Sequence, residues 1–156
     1  MIEVIRTGRL ELRPLVADDA EDLAELLEDP LVEEWLGPDA AALRERFTRW
    51  ERRRSPDGSQ DWLNWKVLRL DDRRAVGWVQ ATVVGSAAEV AYATLPSQRR
   101  RGYTAEAVRA VVDWLDVASV EAHIAPANEA SAAVARAAGL KPTSELHDGE
   151  VVWRHP

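Results

Sequence analysis

Residues 98–107 read QRRRGYTAEA and place three arginines and a glycine directly before a helical pattern. An apolar run ends just upstream at Leu95, so the arginines fall in the loop between a predicted strand and a predicted helix. The first turn of a helix offers backbone N–H groups without partners, at the positive end of the helix dipole. Because Gly102 lacks a Cβ, a phosphate can approach the main chain closely there. The stretch predicts a pyrophosphate site, with positive charge supplied by Arg99, Arg100 and Arg101.

The segments around this loop predict an α/β arrangement. Upstream, strand-like runs over 62–70, 75–84 and 88–95 are separated by turn signals, which is typical of an antiparallel meander. Downstream, a helical pattern over 104–117 leads into a short strand over 120–125. A strand, a helix and a strand in this order predict a right-handed parallel crossover, and the arginine-glycine loop lies inside it.

The remaining segments complete one domain. They are a strand over 9–13 closed by Pro14, a helix capped by Asp18 or Asp19 and stopped by Asp29-Pro30, a helix from 38 to 54, a helix over 128–138 ended by Gly139, and strands over 141–146 and 151–154. The Asp148-Gly149 pair suits a tight hairpin between the last two strands. The predicted order is β-α-α-β-β-β-α-β-α-β-β, in a single α/β domain over residues 1–156 with a mixed central β-sheet flanked by helices.

Composition narrows the class of protein. The chain of 156 residues carries a net charge of −7, which opposes broad adhesion to DNA, RNA or anionic lipid. Without cysteine there are no disulfides, thiolate zinc sites or cysteine nucleophiles, and the 3 scattered histidines make no metal constellation. The sequence shows no apolar run as long as a signal-peptide core or a membrane span. We therefore expect a cytoplasmic protein with no metal, no membrane partner and no nucleic-acid partner.

The arginine-glycine loop lacks the marks of two common phosphate sites. The sequence contains no G-x-x-x-x-G-K-[ST] stretch, which argues against a nucleoside triphosphate loop, and no G-x-G-x-x-G stretch, which argues against a nicotinamide or flavin site. We therefore expect a different phosphate-bearing ligand. On the local string alone, a solvated arginine loop with a simple glycine turn is an equally good interpretation.

Three separated segments resemble the GNAT acetyltransferase superfamily. Residues 99–104 resemble its [QR]-x-x-G-x-[GA] acetyl-CoA signature, and residues 102–107 resemble the branch that contains ribosomal-protein N-terminal acetyltransferases. Residues 120–140 are similar to that branch's strand, Asn-x-x-Ser and helix-Gly-Phe segment, and residues 7–14 resemble its first strand. The likeness spans essentially the whole chain, in order and spacing.

The resemblance implies an enzyme that moves an acetyl group from acetyl-CoA to a primary amine, by direct attack in a ternary complex. A protein N-terminus or a small amine would be the acceptor. The resemblance also implies which residues bind acetyl-CoA: Thr94, Leu95, Arg99, Arg100, Arg101, Gly102, Tyr103, Thr104 and Asn128. A main-chain N–H from a bulged strand end at Thr94 or Leu95 would bind the thioester oxyanion. Asn128 is also expected to cap its helix.

Acetyl transfer needs a group that removes a proton, because an amine at neutral pH is mostly ammonium. Glu89 resembles the position where several superfamily members carry this base, although a surface strand carboxylate is an equally good interpretation. His123 and Glu121 share one face of the next strand and are reserve candidates. Ser131 lies near Asn128 on one helical face, where it would donate to the departing thiolate or be an ordinary small residue.

The remaining site predictions concern the acceptor and the departures from the family pattern. Trp35 is expected to line the acceptor site, because the superfamily places a substrate loop between its first two helices. Glu106 matches the branch motif, but the helix dipole explains a glutamate in a first turn, so we interpret it as structural. Thr104 replaces the usual glycine or alanine, and its hydroxyl would donate to the second phosphate. The final helix has no tyrosine to protonate the thiolate, and Leu140 replaces the usual phenylalanine.

Two other functions stay open at this point. The first is a catalytically silent acyl-CoA binding or sensor domain with the same fold. The second is a nucleic-acid module that uses the arginines of 52–54 and 99–101, against which the net charge and the lack of interleaved aromatic residues weigh. Relatives in the superfamily often pair, so a homodimer is a further expectation. Protein N-termini, amino acids, polyamines and aminoglycoside-like amines all stay open as acceptors.

Overall fold

The computed structural model describes residues 2–156, which form one mixed sheet with helices on both faces. The strands are β1 (Ile5–Arg6), β2 (Leu10–Pro14), β3 (Asp61–Arg69), β4 (Ala75–Val84), β5 (Ala87–Thr94), β6 (Ser119–Ile124), β7 (Lys141–His147) and β8 (Glu150–Arg154). The helices are α1 (Ala20–Leu23), α2 (Pro30–Leu36), α3 (Ala40–Trp50), α4 (Tyr103–Trp114) and α5 (Glu129–Ala137). The eight strands lie in the order β1-β2-β3-β4-β5-β6-β8-β7.

The pairing of β5 with β6 is the feature that positions the site. Every other neighbouring pair is antiparallel, whereas β5 and β6 run parallel, which confirms the parallel connection predicted through α4. This pairing ends at Glu89↔Glu121, although β5 continues to Thr94 and β6 to Ile124. Within residues 2–156, the facing edges beyond Glu89 therefore lack a strand partner. We call the space between these edges the central gap.

Side chains alternate between the two faces of the sheet, and each face has its own core. Val79 and Val90 lie on the face that packs against α4, where they join Val111 in one cluster. Trp78 and Ala93 lie on the opposite face, in a second cluster with residues of α1 and α3. We call these the α4 face and the α1 face. Because the alternation is strict along β5, Tyr92 belongs to the α4 face and Glu89 to the α1 face.

The region between β2 and β3 differs from the prediction in a way that bears on the site. The sequence predicts that the Asp29-Pro30 pair stops a helix, and the helical segment before it does end at Glu28, but the same pair also begins the unpredicted helix α2. The Asp29 side chain accepts a hydrogen bond from the N–H of Leu31, and Pro30 occupies the first turn, where its missing N–H does no harm. Trp35 consequently lies on a helix rather than in a link. The helix predicted before it is a single α-turn between 3₁₀ turns.

The other predicted elements are confirmed, with small shifts at their ends. The β3-β4-β5 meander and the β7–β8 hairpin are both present. Asp148 and Gly149 have φ values of 49° and 82°, the left-handed conformation that a two-residue hairpin turn requires. Helices α3 and α4 end earlier than predicted, at Trp50 and Trp114. Strand β1 was not predicted, because two residues are too few to show a period.

Candidate functional site

Helix α4 begins at the predicted anion site with its first turn open. Its N-cap is Gly102, with φ 77° and ψ 6°, and within residues 2–156 no side chain caps the helix. The first-turn N–H groups of α4 therefore remain available to an anion. A Cβ on Gly102 would meet only Arg9 Nη2, at 3.5 Å. Glycine is thus required here by the left-handed backbone more than by lack of space.

The three arginines of the loop are not equivalent. Arg99 forms an ion pair with the Asp29 carboxylate at the start of α2. Partial burial of Asp29 opposes ionisation, but the hydrogen bond and charge of Arg99, together with the N–H groups of Leu31 and Val32, outweigh it, so the pKa of Asp29 lies below its ordinary value. Arg100 and Arg101 are exposed and have no ion pair within residues 2–156, which leaves their charge available to a ligand. The structure thus gives Arg99 a structural contact, and its contact with a diphosphate stays a prediction.

The first two residues of α4 face the protein rather than solvent. Thr104 is buried, and its hydroxyl forms a hydrogen bond with the Thr94 hydroxyl at the end of β5. In this conformation the Thr104 hydroxyl contacts Thr94, and its hydrogen bond to a phosphate stays a prediction. The Tyr103 ring lies under the Arg9 guanidinium, whose central carbon is 4.5 Å from the ring centroid. Main-chain N–H groups are what these two residues offer to a ligand.

Glu106 has the structural role that the sequence indicated, through a larger set of contacts than the helix dipole. Its carboxylate accepts hydrogen bonds from the Thr7 hydroxyl and from Arg9, with Arg9 Nε at 2.8 Å. Burial opposes ionisation, but these hydrogen bonds outweigh it and lower the pKa of Glu106. Arg9 also donates to the Arg101 carbonyl at 3.1 Å. Arg9 therefore braces the loop, a role that no local sequence signal indicates.

The main-chain N–H predicted for the oxyanion is not at Leu95. The Leu95 N–H donates to the Val76 carbonyl at 2.8 Å, and the pairing of β4 with β5 runs without a register shift, so the predicted bulge is absent. Hydrogen bonds alternate between the two edges of a strand. Because Leu95 points towards β4, the N–H groups of Tyr92 and Thr94 point to the opposite edge of β5, into the central gap. The contact of Thr94 with acetyl-CoA stays a prediction.

Helix α5 begins beside the central gap and carries two of the predicted residues. Asn128 caps it, as predicted, by accepting the Ser131 N–H at 3.1 Å. The Ser131 carbonyl accepts a hydrogen bond of 2.7 Å from the Tyr92 hydroxyl, so a side chain of β5 reaches the first turn of α5. Burial raises the pKa of Tyr92, which keeps the phenol protonated. Sequence reasoning missed Tyr92, although the period-two pattern of this strand places its side chain on the face opposite to that of Glu89.

A charged cluster on the α1 face stands where β5 and β6 stop pairing. Glu89 belongs to the last pair, and its side chain is 50% exposed. His123 is 12% exposed and lies between two carboxylates, with Nδ1 3.7 Å from Glu89 and Nε2 2.8 Å from Glu121. The structure therefore brings the predicted base and both reserve candidates into one cluster. We call Glu89, Glu121 and His123 the closed end of the gap, and the loop over 99–104 its donor end.

Trp35 joins an aromatic stack on the same α1 face. Its ring centroid lies 5.1 Å from that of Trp78, which stacks in turn on Trp50 at 5.3 Å. Trp35 is 40% exposed, whereas Trp78 is buried and donates to the Asn64 side chain at 2.9 Å. The Asn64 side-chain nitrogen is buried and has no hydrogen-bond partner within residues 2–156. An exposed ring over a buried polar layer suits the rim of an acceptor pocket.

Residues 2–156 contain no group of three or more His, Cys, Asp or Glu side chains arranged to hold a metal ion. In the same part of the chain, no helix has both the length and the apolar surface needed to cross a membrane.

Comparison with a family model gives this arrangement its context. The model of the acetyltransferase (GNAT) domain matches residues 9–141. The chain belongs to the GNAT acetyltransferase family. This GNAT acetyltransferase is accordingly an acyltransferase, as the resemblance implied, and enzymes of this family use acetyl-CoA. No curated protein sequence matches it significantly.

Solved structures agree with the fold of this GNAT acetyltransferase. The acetyltransferase from Agrobacterium tumefaciens str. C58 is 22% identical, with a TM-score of 0.76 over 100% of this chain and 95% of its own. RimL, a ribosomal L7/L12 α-N-protein acetyltransferase in complex with coenzyme A, is 17% identical, with a TM-score of 0.75 over 98% of this chain and 97% of its own. The ribosomal-protein-S5-alanine acetyltransferase from Vibrio fischeri is 14% identical, with a TM-score of 0.71 over 98% of this chain and 96% of its own.

Proposed function

We propose that this enzyme transfers an acetyl group from acetyl-CoA to a primary amine, with a protein N-terminus as the first candidate acceptor and a small amine as the second. The two substrates react by direct attack within a ternary complex. One observation carries the proposal: the central gap has an open, arginine-flanked helix start at one end and an ionisable cluster at the other. A donor threaded through this gap would hold its diphosphate and its thioester at those two places.

The donor end supports diphosphate binding through the main chain. The N–H groups of residues 102–104 lie at the positive end of α4, where an anion is stabilised. Arg100 and Arg101 add charge, and Arg101 stays in place because Arg9 holds its carbonyl. Main-chain N–H groups would bind the diphosphate itself, so this end of the gap would accept any thioester donor that carries the same diphosphate.

The central gap supports binding of an extended, amide-bearing arm. The N–H groups of Tyr92 and Thr94 point into the gap and would pair with such an arm as a neighbouring strand does. Asn128 uses its side-chain oxygen to cap α5, so its NH₂ group remains available to donate. The Thr94 N–H would pair with this arm rather than with the thioester oxyanion, because Thr94 lies roughly 16 Å along β5 from Glu89, whereas the thioester carbon must lie beside the base.

The closed end supports the proton transfer that an ammonium acceptor needs. Glu89 is half exposed and belongs to the last parallel pair, so its carboxylate can take the proton from the amine directly or through one water. The nitrogen lone pair then attacks the thioester carbon and the C–S bond breaks. As the amide forms, the nitrogen loses a second proton, which passes to the thiolate sulfur and gives coenzyme A. The Ser131 hydroxyl, in the first turn of α5, donates a hydrogen bond to the departing thiolate.

The acceptor would approach over the α1 face, past Trp35. RimL and the enzyme from Vibrio fischeri act on ribosomal proteins, and the likeness of fold makes a protein N-terminus the first acceptor to test. Cytoplasmic location and pairing into a homodimer stay predictions, which cell fractionation and light scattering of the purified protein would test.

The decisive experiment is thiol release from acetyl-CoA by the purified protein, against a panel of N-terminal peptides and small amines. We expect release that depends on an amine and falls strongly in Arg101→Glu and Gly102→Asp. Arg52→Glu, with the same charge change on an exposed arginine after α3, is the matched control. Binding of acetyl-CoA by calorimetry without thiol release across the panel would instead indicate a silent acyl-CoA binding domain.

A further inference from the structure

A row of charged side chains crosses four strands at the closed end of the gap. It runs from β5 over β6 to β8 and β7, through Glu89, His123, Glu121, Arg154 and Glu145. His123 is the least exposed of them, at 12%, and the proposed reaction does not yet use it. A histidine this enclosed, between two carboxylates, calls for a reason beyond surface solvation.

The contacts of His123 fix which of its nitrogens carries the hydrogen. Nε2 lies 2.8 Å from Glu121 Oε1, and an ionised carboxylate only accepts, so Nε2 is the donor. Arg154 stands 3.3 Å from the other Glu121 oxygen and supplies the opposite charge there. In neutral His123 the lone pair is then on Nδ1. That nitrogen faces Glu89 at 3.7 Å.

We propose that His123 receives the proton that Glu89 removes from the acceptor ammonium; this inference rests on the proposed function. An N–H bond of the ammonium breaks, its electron pair stays on nitrogen for the attack, and an O–H bond forms on Glu89. That O–H bond then breaks as an N–H bond forms on His123 Nδ1. The products of this step are the Glu89 carboxylate and an imidazolium, and the proton leaves later to solvent.

Two physical arguments favour the transfer from Glu89 to His123. In water an imidazole binds a proton roughly a hundredfold more tightly than a carboxylate does. The imidazolium would also lie between the carboxylates of Glu89 and Glu121, and their negative charges would stabilise its positive charge. The gap of 3.7 Å exceeds a hydrogen bond, so rotation of the half-exposed Glu89 side chain or one water must close it.

The other groups that face His123 do not offer a competing path to Glu89. Glu121 faces it from β6, Arg154 adjoins Glu121 from β8, and His147 faces it from β7 with ring centroids 4.7 Å apart. His147 is 62% exposed and contacts Asp148 at 3.4 Å. Glu121 and Arg154 orient His123, and the exposed His147 connects it to solvent rather than to Glu89.

The test measures His123→Gln against His155→Gln, which changes another of the chain's 3 histidines, an exposed one. We expect kcat to fall about a hundredfold in His123→Gln, with the KM for acetyl-CoA unchanged. We also expect the acid limb of the kcat/KM profile to move to lower pH, because a carboxylate alone loses its basic form at lower pH than an imidazole does. Added imidazole should restore part of the rate to His123→Ala. Thermal unfolding checks that each variant folds.

A second measurement is independent of turnover. Nitrogen-15 shifts of the His123 ring should report hydrogen on Nε2 in the wild type, and Glu121→Gln should remove that preference. Hydrogen on Nδ1 in the wild type would overturn the relay. So would a folded His123→Gln with unchanged kcat, or a lowered kcat in His123→Gln with no shift of the acid limb of kcat/KM and no imidazole rescue of His123→Ala. A wild type with no amine-dependent thiol release overturns the proposed function itself, and this inference with it.

Discussion

The two ends of the central gap are built from different parts of the chain. At the donor end, the hydrogen-bond donors offered to a ligand are main-chain N–H groups, held by the left-handed Gly102 and by Arg9, and Arg100 and Arg101 add positive charge. At the closed end, the groups are side chains from separate strands, among them Glu89 and His123. Binding at the donor end should therefore depend on backbone conformation, and chemistry at the closed end on side-chain identity. Variants at the two ends should separate acetyl-CoA affinity from kcat.

The largest effect is expected from Glu89→Gln. The amide keeps the shape of the side chain but cannot take a proton, so kcat should fall about a thousandfold while acetyl-CoA affinity stays the same. Steady-state thiol release and calorimetry measure the two quantities. Glu150→Gln, on β8, is the control. A comparable loss of acetyl-CoA affinity in Glu89→Gln would contradict the separation of the two ends.

Gly102→Asp should have the opposite effect to Glu89→Gln, with a loss of acetyl-CoA affinity rather than of kcat. An aspartate is strained at φ 77° and brings negative charge to the open start of α4, so acetyl-CoA affinity should fall about a hundredfold. Gly85→Asp is a matched control, since Gly85 also has a positive φ, 59°, and open space around it. Equal loss of affinity in both variants would indicate general strain rather than loss of an anion site.

Trp35→Ala tests the expected acceptor site on α2, which is separate from both ends of the central gap. Truncating the exposed ring should raise the acceptor KM about tenfold and leave the acetyl-CoA KM unchanged, because the ring lies on α2 over Trp78. Leu31→Ala removes another exposed apolar side chain of α2 and is the control. An unchanged acceptor KM in Trp35→Ala would remove this residue from the acceptor site.

Tyr92→Phe tests the link between β5 and α5. The variant loses the hydrogen bond to the Ser131 carbonyl, so the free energy of unfolding should fall by about 1 kcal/mol in urea titrations. Tyr103→Phe is the matched control, because the Tyr103 hydroxyl has no hydrogen-bond partner within residues 2–156. Equal stability of the two variants would show that the Tyr92 contact contributes nothing.

The smallest expected effect is on the pH dependence of stability. Hydrogen bonds lower the pKa of Glu106 below its ordinary value of 4.5, so this carboxylate stabilises the fold above that pH and ceases to do so as pH falls through its folded-state pKa. Glu106→Gln should be less stable than the wild type near neutral pH, and the difference should shrink on acidification. Urea midpoints between about pH 6 and pH 3 measure this. Glu45→Gln, at an exposed position of α3, should parallel the wild type.

The donor end was predictable because its residues are contiguous. Residues 98–106 carry the loop, the glycine and the helix start in one string, and each feature has a local physical cause. The contacts that hold the string in place come from elsewhere: Arg9 from the turn before β2, and Asp29 from the start of α2. No local pattern indicates pairs so far apart, and the loop arginines consequently looked equivalent.

The closed end was predictable only as a set of separate candidates. The family resemblance points to Glu89, and residue type and strand face point to Glu121 and His123, but the sequence does not give the register that brings them together. The end of the β5–β6 pairing depends on tertiary packing, so Tyr92 and the free edge of β5 were missed. Helix α2 was missed because the Asp29-Pro30 pair that ends the preceding helical segment also begins α2.

The Arg99–Asp29 ion pair has a consequence for the order in which substrates bind. It connects the donor loop to the residue that caps α2, and α2 carries Trp35. If the donor's phosphate draws Arg99 away, the Asp29 cap loses its cation. If the donor leaves the pair intact, α2 stays fixed. In either case linkage requires that any effect of the donor on acceptor affinity is matched by an equal effect of the acceptor on donor affinity. Neutralising Asp29 should therefore change how strongly each substrate, once bound, alters the affinity of the enzyme for the other.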